Sequence, residues 1–160
     1  MKKAITTVAI ATAMMAISTY AFAAGTHPGQ YDFGEPGKVE QVTQIVEIDL
    51  VDENGDMKVI HAPLKIKQGD VVRFVVTNKG AIDHELSIGD SPTQRAHALM
   101  MEKMPDMKHE NDATAITLAP GETKELIWAF TKPVKGNIEL ACQMPGHYQA
   151  GMVSKVKMVK

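Results

Sequence analysis

Hydrophobic and polar residues alternate along most of this chain with the two-residue period of β-strands. In VTQIVEIDL (42–50), Val42, Val46, Ile48 and Leu50 share one face, with Thr43, Glu47 and Asp49 opposite. VVRFVVTN (71–78) groups Val72, Phe74 and Val76, and TKELIWAF (123–130) aligns Leu126, Trp128 and Phe130. DHELSI (83–88) alternates His84, Leu86 and Ile88, while GNIEL and the following AC put Ile138, Leu140 and Cys142 on one face. MKVIHAPLKI (57–66) and VSKVKMV (153–159) complete the set. Turn signals separate these runs, the strongest being Asn-Gly in DENGD (52–56), which favours a tight hairpin. Seven or eight short strands at this spacing predict an all-β fold, an antiparallel β-sandwich of Greek-key type.

Two segments break the alternation. Residues 24–38, AGTHPGQYDFGEPGK, are rich in glycine and proline and read as an irregular arm. Residues 91–112 open on Ser-Pro and carry His97, Met100, Met101 and Met104 at helical spacing, which predicts a short helical Met-rich insertion. Two readings of that insertion stand side by side. Met100, Met101, Met104 and Met107 can simply pack adaptable side chains on the sandwich, or they can share a secondary Cu(I) site with His97 or His109.

Export follows from the first residues. Lys2 and Lys3, an apolar run, and Ala21-Phe22-Ala23 form a secretory signal over 1–23, leaving the arm and a single domain over 39–160. The chain carries a net charge of −2, and removal of the two lysines makes it more acidic. That balance gives no reason to expect nucleic acid or an anionic membrane as partner, and no other segment is long enough to span a bilayer. A soluble periplasmic protein, monomeric, is the expectation.

One cysteine in an oxidising compartment has no partner for an internal disulfide. The parity of its strand turns Cys142 inward. Pro145-Gly146 then reverses the chain, so that His147 folds back over the thiol and Met152 arrives at the start of the last strand. Thiolate and thioether select soft or borderline ions, and two histidines, one cysteine and a weak axial methionine suit copper; zinc prefers four strong donors. The second imidazole must come from His27, His61, His84, His97 or His109, and His84 has the best placement, inward on a strand with Leu86 and Ile88. A thiol nucleophile would need an accessible thiolate and a separate base, so catalysis is not expected. A plain sandwich with an incidental thiol is the more distant alternative.

IKQGDVVRFVVTN, His84 after a short loop, and CQMPGHYQAGM together resemble the cupredoxins, the plastocyanin, azurin and rusticyanin superfamily, over roughly residues 40–160. The resemblance implies a cupredoxin-like sandwich holding one type 1 copper through His84, Cys142, His147 and Met152, with one-electron redox activity. It also implies a redox partner docking near His147, beside Met144 and Pro145. Many cupredoxins place Asn or Ser after the first histidine to tie the two ligand loops together; Glu85 stands there in this chain. HEL, the Met-rich insertion and GEPG look most like periplasmic cupredoxins associated with copper tolerance. A dedicated electron carrier between respiratory or oxidase partners is the alternative.

Overall fold

The computed structural model describes residues 31–110 and 112–159; the expected signal peptide and the first part of the expected arm lie outside them. In chain order the elements are β1 (Glu35–Pro36), β2 (Gln44–Glu53), β3 (Asp56–Ile60), β4 (Ile66–Lys67), β5 (Val71–Asn78) and β6 (His84–Asp90). There follow α1 (Ser91–Lys103), β7 (Ala115–Leu118), β8 (Thr123–Ala129), β9 (Asn137–Ala141) and β10 (Val153–Val159). Two sheets, ordered β1-β8-β5-β2-β3 and β4-β10-β9-β6-β7, face each other as a sandwich. No described helix is long and apolar enough to cross a membrane.

The alternation seen in the sequence becomes the core. Val46, Ile48, Leu50, Val72, Phe74, Val76, Leu126 and Trp128 point inward from the first sheet, against Leu86, Ile88, Leu118, Ile138, Leu140 and Val156 from the second. The Asn-Gly turn joins β2 to β3 with Asn54 and Gly55 both at positive φ, the backbone that a two-residue hairpin requires.

The architecture departs from the sequence expectation in three places. Two pairings are parallel rather than antiparallel, β2 with β5 and β4 with β10, because the chain leaves the first sheet after β3 and returns as β5. The described part of the arm is irregular yet integral: Tyr31 and Phe33 are buried and pack on Trp128, with Phe33 stacked on it at 4.7 Å. Gly34 makes that approach possible, since a Cβ there would lie 2.0 Å from the Ala129 carbonyl oxygen. Lastly, β6 is buried on both faces, and the reason is α1.

The helix starts where its sequence says it should. Asp90 caps it by accepting from the Thr93 N–H at 3.1 Å, and Pro92 occupies the first turn. Gln94 then fastens the helix to the outer face of the second sheet, exchanging hydrogen bonds with Ser87 and donating to the Glu139 carbonyl. Positions on β6 and β9 that face solvent in a bare sandwich, Glu85, Ser87 and Glu139, are therefore enclosed. Of the methionine group, Met101 is fully buried, whereas Met104 and Met107 are exposed.

Candidate metal centre

Cys142 follows the last residue of β9, and His84 opens the neighbouring β6. Both are inaccessible to solvent. The segment from Cys142 to Met152 folds into a closed loop. Gly146 takes φ 88°, the His147 N–H donates to the Met144 carbonyl, and the Met152 N–H donates to the His147 carbonyl, each bond at 3.0 Å. A third bond, Cys142 N–H to the Met152 carbonyl, seals the neck at 3.0 Å.

This loop brings the predicted residues together. Nδ1 of His84 lies 3.3 Å from Nδ1 of His147, which lies 3.4 Å from Cys142 Sγ. One donor atom from each of the three falls within 4.8 Å of the others. Met152 is wholly buried in the same core. The other histidines lie elsewhere: His61 bonds to Ser154, His97 and His109 sit on the far side of β6, and His27 is outside the described residues.

Electrostatics prepare the site for a cation. Burial pushes His84 and His147 below the ordinary histidine range, so both rings are neutral and offer lone pairs. Asp52 decides which nitrogen of His84 does so. Its carboxylate is pinned by the N–H groups of Ala81 and Ile82 and accepts from His84 Nε2 at 3.1 Å, leaving Nδ1 unprotonated toward Cys142 and His147. Nδ1 of His147 faces that lone pair at 3.3 Å, close enough for a proton or a bound cation to bridge the two rings.

Burial raises the Cys142 thiol to about 12, against the opposing pull of the Glu85 and Met144 backbone N–H groups on the sulfur. The thiol is therefore protonated in the metal-free protein, while a bound divalent ion deprotonates it outright. Those two N–H groups are aimed to stabilise the resulting thiolate. Two neutral imidazoles, a thiol and a buried thioether fit copper and fit zinc, calcium or magnesium poorly.

Glu85 takes over the loop-tying task. Its backbone N–H donates to Cys142 Sγ at 3.4 Å, and its carboxylate accepts from the Gln143 N–H at 3.4 Å. Nearby, Asn78 donates to the carbonyls of Ile82 and Leu118 and accepts from the Gly80 N–H, holding the loop that precedes His84. Asp52 and Asn78 were not evident from the sequence. Asp52 stands in DENGD, where the turn signal accounts for it without any further role.

A family profile for copper binding proteins of the plastocyanin/azurin family matches residues 46–159. The chain belongs to this family. It is a cupredoxin, and copper is its cofactor. It is 39% identical over 135 residues to the copper-resistant cuproprotein CopI of Rubrivivax gelatinosus, covering 83% of this chain and 78% of that protein. CopI of Vibrio cholerae is 40% identical over 131 residues, covering 81% and 74%. Among solved structures, auracyanin B superposes with a TM-score of 0.58 at 20% identity, over 80% of this chain and 97% of that one, which shows a shared fold.

Proposed function

We propose that this cupredoxin serves copper tolerance in the periplasm, holding one type 1 copper through His84, Cys142 and His147, with Met152 as a weak axial donor. The observation that carries the reading is the convergence of His84 Nδ1, His147 Nδ1 and Cys142 Sγ, with Asp52 fixing the His84 tautomer. Relatives named as copper-resistant cuproproteins support the physiological half. Bound there, copper supplies one-electron exchange between Cu(II) and Cu(I).

The chain's own residues do the rest. His84, Cys142 and Met152 are shut off from solvent, so substrates have no path to them, and we read the protein as a redox and copper-handling protein rather than an enzyme. His147 is half-exposed beside Met144 and Pro145, and a partner docking on that edge meets the imidazole directly. The rigid loop and the Asp52 bracket hold the donors in one arrangement for both oxidation states, which keeps reorganisation small.

The test joins spectroscopy to growth. Copper-loaded protein shows an intense thiolate-to-Cu(II) band that Cys142→Ser abolishes while the fold persists. A deletion strain is copper-sensitive, and wild type but not Cys142→Ser restores tolerance. Absence of the band overturns the site; full tolerance in the deletion strain leaves an electron carrier instead.

A further inference from the structure

The outer face of β6 carries a second convergence of donors. Glu85 is wholly enclosed, and a carboxylate withdrawn from water requires compensating charge or hydrogen bonds. Oε1 has them, accepting from His97 Nε2 at 2.8 Å and from the Gln143 N–H at 3.4 Å. Oε2 does not: His109 Nε2 lies 3.3 Å away but outside hydrogen-bond geometry, and Oε2 has no hydrogen-bond partner among the described residues. Met101 Sδ stands 3.4 Å from that same Nε2.

His109 is oriented from behind. Its Nδ1 lies 3.5 Å from Asp112 Oδ2, and Asp112 is itself held by the N–H and hydroxyl of Thr114. A carboxylate behind one ring nitrogen with the other nitrogen pointing into a donor cluster is the arrangement that fixes metal-binding imidazoles. The Nε2 of His109 is thus aimed at Oε2 and Sδ, and the point where the three atoms meet takes either a proton held on Nε2 or a metal ion in that proton's place.

We infer that Glu85, His97, His109 and Met101 form a second copper site, back to back with the first across β6 and β9. Donor atoms of Glu85, His97 and His109 all lie within 4.8 Å of one another, and Met101 reaches the same point from α1. Two imidazoles and a carboxylate suit Cu(II) or Zn(II); the thioether and the affinity order of divalent ions favour copper. The two sites share a wall. Glu85 follows His84 in the chain, its backbone N–H bonds the Cys142 sulfur, and Gln143, which bonds its carboxylate, follows Cys142. Loading the second site therefore changes the field at the first thiolate.

The experiment is a Cu(II) titration of the apo full chain carrying His27→Ala, which removes the one imidazole before Tyr31. Two equivalents bind: one develops the thiolate band, the other gives only a colourless-site electron paramagnetic resonance signal and shifts that band as it fills. His97→Gln and His109→Gln each remove the second equivalent and the band shift while retaining the coloured centre, which also reports that the variant is folded. Cys142→Ser does the reverse. Anomalous diffraction from a copper-loaded crystal places a peak at Glu85. Uptake of a single equivalent by the His27→Ala protein, an undiminished second equivalent in His97→Gln, or occupation by zinc in preference to copper would each overturn the inference. Loss of the coloured band alone would count against the first centre and leave this one standing.

Discussion

The two faces of β6 carry two donor clusters of different character. On the inner face, His84, Cys142 and His147 are neutral groups with no carboxylate among them, and Asp52 touches the set only from outside. On the outer face, Glu85 sits among the donors and His97 and His109 gather round it. The difference teaches what each can hold without metal. The inner set is stable as an apo site because burial discharges its imidazoles and protonates its thiol. The outer set retains charge: burial acts to discharge His109, but Asp112 and Glu85 outweigh it and raise its affinity for a proton. Protons compete with copper differently at the two.

The sharpest way to break the comparison is Cys142→Ser. It removes the only thiolate, and the visible band should fall to the level of the apo protein while circular dichroism stays unchanged. Next comes Asp52→Asn, which keeps the shape but weakens the acceptor that sets the His84 tautomer. Copper affinity at the coloured centre should drop about 10–100-fold, read by competition with a chelator, with the outer cluster untouched. Met152→Leu is milder: copper stays, and the reduction potential rises because the axial donor is lost.

Proton release tests the inner site without mutation. A thiol held at about 12 gives up close to one proton per coloured copper at pH 7, visible as a buffer-dependent heat of binding. The smallest effect is expected on the outer side. Asp112 is lowered to about 2 from the ordinary 3.8, chiefly by its bonds to His109 and Thr114 working against burial. A depressed carboxyl stabilises the fold above its unfolded value and loses that contribution as pH falls through the folded one. Asp112→Asn should therefore cost on the order of 1 kcal/mol at pH 7, a figure reduced for partial exposure, and nothing near pH 2. Denaturant midpoints across that window check it.

Most of the sandwich was legible in the sequence because each strand buries one face, and Val72, Phe74 and Val76 announce that face by period alone. The proposed inner site draws on a related signal: three of its proposed donors lie in one short loop, and His84 keeps the parity of its strand. The outer cluster was only half legible. His97, His109 and Met101 stood out as donors in the insertion, but Glu85 read as a departure from the family pattern. Its alternation pointed it to solvent, and nothing local to β6 says that α1 will cover it through Gln94. The aromatic anchor at Tyr31 and Phe33 escaped notice because glycine and proline around it mask the contacts with Trp128, distant in sequence.

The closed loop from Cys142 to Met152 has a thermodynamic consequence. Three of the four proposed inner donors stay within eleven residues of one another even when the chain is unfolded. A denatured molecule can still grip copper with thiolate, imidazole and thioether, and any affinity for the unfolded state subtracts from the stabilisation that a ligand confers on the folded one. Copper should therefore raise the melting temperature by less than its affinity for the native protein implies. What folding adds is chiefly His84 and its Asp52 bracket, so the gain in melting temperature measures that arm of the site alone.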